Sequence, residues 1–84
     1  MVEISTSILN VDEEEAMKTF YDLEVAKTDY YHIDVMDGKF VKKDTSCLMY
    51  SYASSIKQMS NIPLDVHLMV KDVKEYINQY IALE

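Results

Sequence analysis

The sequence predicts an α/β fold of three βα units, ordered β-α-β-α-β-α, with its strands parallel. Three observations predict it. Short runs rich in β-branched and aromatic residues alternate with longer stretches whose apolar residues recur at spacings of three and four. The linkers are a few residues long, which suits right-handed crossovers from strand through helix to parallel strand. The second and third strand-like runs each carry one wholly apolar face that helices can cover.

Residues 2–9 (VEISTSIL) read as the first strand. Asn10 or Asp12 caps the next helix, and Glu13, Glu14 and Glu15 fall in its first turn, where the helix dipole favours negative charge. Ala16, Phe20 and Leu23 then build one buried stripe. Without a Gly to end on, that helix must turn through Lys27-Thr28. Residues 30–36 (YYHIDVM) form the second strand, ended by Asp37-Gly38, and a loop from Phe40 and Val41 runs to about Asp44.

Leu48, Tyr52, Ile56 and Met59 predict a helix over 45–59. Its closing turn at Ser60-Asn61 also lacks Gly, and Asn61 is the residue suited to a left-handed conformation. Pro63 fits a strand entry, and LDVHLMV (64–70) follows as the third strand. Asp72 caps the last helix, whose stripe of Val73, Tyr76, Ile77, Tyr80 and Ile81 is the cleanest in the chain. No repeat or low-complexity linker divides the sequence, so residues 1–84 read as one unit.

Eighty-four residues allow at most one small domain, which is marginal unless something else supports it. A hydrophobic fraction of 49% against 27% charged residues excludes wholesale disorder. The net charge is −7, with eight Lys and no Arg, which argues against nucleic-acid binding because that needs clustered cations to neutralise phosphates. One small anion remains possible, held by backbone amides at a helix N-terminus. No apolar run is long enough to span a membrane and no targeting segment is recognisable, so no membrane partner is expected. Cys47 is alone, which rules out an intrachain disulfide and fits a reducing cytoplasm. Cys47 reads as a small apolar residue at a helix start, Lys42 and Lys43 as a solvated loop pair, and the seven Tyr as half-buried with wet hydroxyls.

The chemistry concentrates on one side of two strands. Alternation puts His32, Asp34 and Met36 on one face of the second strand, and Asp65, His67 and Met69 on one face of the third. A buried parallel strand is ordinarily apolar on both faces. Two His and two Asp on inner strands cost several kcal/mol, in rough terms, unless paired, hydrated or metal-bound. Strands about 4.8 Å apart allow His32, Asp34 and His67 to converge, and two imidazoles with a carboxylate form a ligand set for Zn²⁺ or non-haem Fe²⁺, with Mn²⁺ or Co²⁺ as further divalent candidates. The bland alternative is that each His is a satisfied core residue. H-x-D on one strand facing D-x-H on the next weighs against it.

TSILNVD (6–12), YYHIDVMDGKFV (30–41) and IPLDVHLMV (62–70) resemble, in register, the first three strand regions of the ribulose-phosphate 3-epimerase family. The resemblance implies a (β/α)₈ TIM barrel, of which this chain is the N-terminal portion and a partial barrel, since such barrels run to about 250 residues. It implies that His32, Asp34 and His67 are metal ligands and that Asp34 is one of two acid–base carboxylates. It places Ser7, His32, His67, Met36 and Met69 at the substrate, and Asn10, the alternative helix cap, near the active-site mouth. The implied reaction inverts carbon 3 of a ketose phosphate, interconverting ribulose 5-phosphate and xylulose 5-phosphate through an enediolate. One aspartate removes a proton from one face and a second returns one to the other.

The chain departs from the family pattern in several places. The second aspartate, also the fourth metal ligand, and the phosphate-gripping loops belong to downstream strands absent from these 84 residues. KKDTSCL stands where the family usually has Pro-Asn and then Phe-Gly, Lys27-Thr28 replaces Gly-Ala, and Thr6 replaces a common Pro. The Lys27-Thr28 and Thr6 changes read as tolerated drift; the alternative is a diverged paralogue acting on a related sugar phosphate such as allulose 6-phosphate. Three units leave two open sheet edges, so the chain is expected to self-associate or to need a C-terminal remainder, and to be poorly stable and inactive alone. The rival reading is a non-catalytic module that binds metal or a partner.

Overall fold

The computed structural model describes residues 2–83. Its elements run β1 (Ser5–Ser7), a 3₁₀ turn (Glu13–Glu15), α1 (Ala16–Val25), β2 (Tyr30–Met36), α2 (Ser46–Met59), β3 (Leu64–Met69) and α3 (Val73–Ile81). The strands form one parallel sheet in the order β1-β2-β3, so each crossover reaches the adjacent strand. This is the α/β alternation expected of a partial (β/α) barrel.

One face of the sheet builds the core. Tyr31, Ile33 and Val35 of β2 are fully buried together with Ile8, Phe20, Met49 and Ile56. Phe20 stands edge-on to Tyr31 and Tyr52, with ring centroids 6.4 and 5.3 Å away, a geometry that sets the positive edge of one ring against the negative face of another. Three tyrosine hydroxyls, those of Tyr31, Tyr52 and Tyr80, depart from the wet environment expected of them. Tyr31 Oη lies 3.1 Å from the Phe20 carbonyl and 3.0 Å from Glu24 Oε2, and Tyr52 Oη donates to the Val11 carbonyl at 2.7 Å. Burial and Glu24 push the Tyr31 phenol up to about 12. Tyr80 Oη is buried without a hydrogen-bond partner.

Several boundaries differ from expectation. The first strand is three residues long rather than spanning 2–9, because only Ser5–Ser7 come into register with β2, opposite Tyr30, Tyr31 and His32. Asp12 precedes the 3₁₀ turn without a side-chain capping bond. The left-handed residue is Lys27 (φ 59°), not Asn61. Thr28 N–H donates to the Leu23 carbonyl and Lys27 N–H to that of Glu24, the pair of bonds that closes a helix through a left-handed residue. α2 instead runs into extended backbone at Ser60, whose Oγ accepts from Ile62 N–H. Its buried stripe is Met49, Tyr52, Ala53 and Ile56, about one position round from the expected one, with Leu48 and Met59 at the margin. Asp72 caps α3 as expected, accepting from Glu75 N–H.

The α3 stripe is the largest difference. Tyr80 is buried, but Val73, Ile77 and Ile81 are exposed, and α1 exposes a matching row of Met17, Tyr21 and Val25. Both rows have the four-residue spacing of one helix face. α2, between them, exposes no large hydrophobic residue among those described. Cys47 is likewise exposed. No helix among the described residues is long and apolar enough to cross a membrane.

Candidate metal centre

Register assembles the polar face. His32 lies opposite Asp65 and Asp34 opposite His67, so each imidazole on one strand meets a carboxylate on its neighbour. Ser7 of β1 is level with His32, and Met36 pairs with Met69 one step beyond the Asp34–His67 pair. In parallel strands, residues in register project to the same face, and this face is the one opposite the apolar core.

Three donor atoms converge. Asp34 Oδ1 is 2.9 Å from His32 Nε2 and 3.2 Å from His67 Nδ1, and one ligand atom from each residue lies within 4.8 Å of the others. Two ligands of a tetrahedral zinc with bonds near 2.0–2.1 Å stand about 3.3 Å apart. The two spacings to Asp34 need open by only a few tenths of an ångström and the two imidazoles, within 4.8 Å, need only draw together, so the donor set fits a divalent ion. Asp34 is only 14% exposed, whereas His67 is 58% exposed, and the site is therefore anchored in the sheet and open on one side. An open side is what separates a site that admits substrate from a closed structural one.

The surrounding bonds explain why Asp34 is held so firmly. Thr45, just ahead of α2, donates its hydroxyl to the Asp34 carbonyl at 2.9 Å and accepts from Met36 N–H at 3.0 Å. Its own N–H donates to the Met36 carbonyl at 2.8 Å. Thr45 thus clamps the end of β2 to the start of α2. Asp37 extends the scaffold to β3: its carboxylate accepts from Lys39, Phe40 and Lys71 N–H groups at 2.7–2.8 Å, and those bonds, Lys71 foremost, hold it below the usual aspartate range.

Each imidazole sits in a different environment. His32 has carboxylate oxygens 2.9 Å from both ring nitrogens, Asp65 on Nδ1 and Asp34 on Nε2. The bond to Asp65 does most to raise its pKa, with burial opposing. Asp65 is correspondingly lowered, first by His32 and then by the Ser5 hydroxyl. His67 uses Nδ1 alone toward Asp34 among the described residues.

The structure brings His32, Asp34 and His67 together and sets Met36 and Met69 beside them, half-buried. Ser7 is exposed and accepts from Leu9 N–H at 3.3 Å, and Asn10 lies exposed in the turn beyond β1. Lys42 and Lys43 are exposed in their loop. The bonds of Asp65 to His32 and of Thr45 to β2 went unread in the sequence. The D-x-H half of the strand pattern was the available signal for Asp65; nothing in the sequence marks Thr45.

Residues 3–84 match the model of the ribulose-phosphate 3 epimerase family. The chain is similar to the ribulose-phosphate 3-epimerase of Methanocaldococcus jannaschii, 32% identical over all of this chain and 35% of that protein. It is similar to the Bacillus subtilis enzyme of the same name, 35% identical over 92% of this chain and 35% of that one. A third relative, the chloroplastic ribulose-5-phosphate-3-epimerase of Arabidopsis thaliana, is 31% identical over 93% of this chain and 27% of its own length. The chain spans about a third of the length of the curated relatives it matches.

Proposed function

We propose that this chain, which belongs to the ribulose-phosphate 3 epimerase family, supplies the first three βα units and three of the metal ligands of an enzyme that inverts carbon 3 of a ketose phosphate. Ribulose 5-phosphate and xylulose 5-phosphate are the substrate pair, and the cytoplasm is the compartment. The observation that carries the reading is the convergence of His32 Nε2, Asp34 Oδ1 and His67 Nδ1 on one open-sided point.

His32, Asp34 and His67 would hold a divalent ion, zinc or iron(II) first, which would supply positive charge to stabilise the enediolate formed when the carbon-3 proton leaves. Asp34 is the base on one side. Both imidazoles address its Oδ1, which leaves Oδ2 to take the proton. Met36 and Met69 present an apolar wall to the reacting carbon and exclude water, and Ser7 offers a hydroxyl to the substrate. The proton returned to the opposite face needs a second acid; among the described residues the other carboxylate of the polar face, Asp65, is engaged by His32 and Ser5.

That second acid belongs, in this reading, to a C-terminal remainder of 1–84. The open edges of β1 and β3, the two exposed apolar rows and the orphaned Tyr80 hydroxyl support a unit built to be flanked on both sides. The same features favour the second reading, a non-catalytic module that binds metal or another chain through its edges. Exchange of the carbon-3 proton with solvent, followed with and without the remaining strands supplied, separates the two. The enzyme reading expects exchange only with them present and its loss in Asp34→Asn. Exchange that survives Asp34→Asn contradicts the role given to Asp34, and none in the completed protein leaves the binding module.

A further inference from the structure

The two carboxylates of the polar face are not equivalent. Asp34 Oδ1 lies among the converging donors, whereas Asp65 stands on the far side of His32, 2.9 Å from Nδ1, the ring nitrogen that faces away from them. The same Asp65 oxygen, Oδ2, accepts from Ser5 Oγ at 2.9 Å. A row of hydrogen bonds therefore runs across all three strands, from Ser5 to Asp65 to His32 to Asp34. Register makes it possible, because Asp65 lies directly opposite His32.

From this arrangement we infer that Asp65, oriented by Ser5, is a positioning residue that keeps the proton of His32 on Nδ1 and turns Nε2 toward the metal. The inference rests on the metal site proposed above. A neutral imidazole has one protonated and one bare nitrogen, and only the bare one can ligate. Free imidazole has no structural reason to choose. A carboxylate fixed on Nδ1 makes the choice, locks the ring plane and raises the basicity of Nε2. Ser5 restrains an aspartate that is otherwise 48% exposed on an edge strand. His67 has no such carboxylate behind its second nitrogen among the described residues, so the two ligands are held unequally.

The test uses zinc itself, with affinity measured by competition against a chelator and the His32 ring nitrogens followed by nitrogen-15 NMR in the zinc-loaded protein. In the unmodified protein the Nδ1 proton is expected to be visible, slow to exchange and coupled to its nitrogen. Asp65→Ala should weaken zinc binding by about 10–100-fold and speed exchange of that proton. Asp65→Asn keeps an acceptor oxygen and should recover part of both, while Ser5→Ala should shift both in the same direction by less. Asp65 is exposed on its strand, so these variants should stay folded; circular dichroism checks it, and Ser5→Ala carries the test if Asp65→Ala does not fold. Weaker binding with an unchanged His32 ring signal would reduce Asp65 to an ordinary structural residue and overturn the inference. So would an Asp65→Ala protein that binds zinc within twofold of the original. No zinc binding by the unmodified protein would sink the metal reading itself, and this inference with it.

Discussion

The central βα unit and its two flanks obey different rules. β2 has a neighbour on each side and α2 over it, and its helix-facing residues Tyr31, Ile33 and Val35 are fully buried. β3 has one neighbour, and its corresponding residues Leu64, Val66 and Leu68 are only partly buried. α1 and α3 each turn an apolar row outward, and α2 turns none. The middle of this chain is finished and its edges are not. The candidate site follows the same division: Asp34 lies on the finished strand with its backbone clamped by Thr45, and the most exposed of the three donors, His67, lies on the unfinished one.

The sharpest way to break this comparison is a cavity at the centre. Ile33→Ala should cost about 2–5 kcal/mol, comparable to all that a core this small supplies, so chemical denaturation should find the variant largely unfolded. Leu68→Ala removes similar bulk at the flank and should cost clearly less. Equal losses at the two positions would show that the flank is packed as tightly as the centre.

A smaller effect is expected where α1 hands over to β2. Lys27 holds a left-handed conformation that an L side chain resists, so Lys27→Gly should raise stability by about 1 kcal/mol. A thermal melt that moves down would mean that the Lys27 side chain makes an interaction worth more than the strain.

The outward rows come next. Val25→Ser and Ile81→Ser, each more than 60% exposed in the original, should change the stability of the 84-residue chain by no more than about 0.5 kcal/mol. A loss of 2 kcal/mol or more would show that the rows are already covered, as by self-association.

pH gives the gentlest probe, at the seam between centre and flank. The Asp37 carboxylate, lowered by its backbone donors, ties the β2–α2 loop to Lys71 at the end of β3. A group whose folded pKa is depressed lends stability that is present above its unfolded value and lost as the pH falls through the folded one. Stability should therefore decline below about pH 4, and Asp37→Ala should flatten that part of the acid limb. An unchanged limb would remove Asp37 from the seam.

What was legible in the sequence follows the same line between centre and flank. β2 could be read to the residue, since YYHIDVM is bounded by Asp37-Gly38 and alternates cleanly. β3 ends one residue before the expected Val70, and Asp72 caps α3 at the expected place. The convergence of His32, Asp34 and His67 is legible because H-x-D and D-x-H put all three on one face of adjoining parallel strands. β1 was read too long, because propensity along 2–9 says nothing of how much neighbour is present to pair with. Intrinsic preference suits Asn61 to a left-handed conformation, yet the tertiary demand lies at Lys27, where the turn must bring Thr28 onto the carbonyl of Ile4, just ahead of β1. The role of Asp65 stayed hidden for another reason: alternation gives a residue its face, but only register says which imidazole it meets.

The central claim is that His32, Asp34 and His67 hold one divalent ion together. X-ray absorption at the zinc edge of the zinc-loaded protein tests it most directly. The account predicts a first shell of two imidazole nitrogens with carboxylate oxygen and no sulfur, reduced to one imidazole in His67→Ala. A sulfur neighbour from Cys47 or a methionine, or a shell without imidazole, would contradict it.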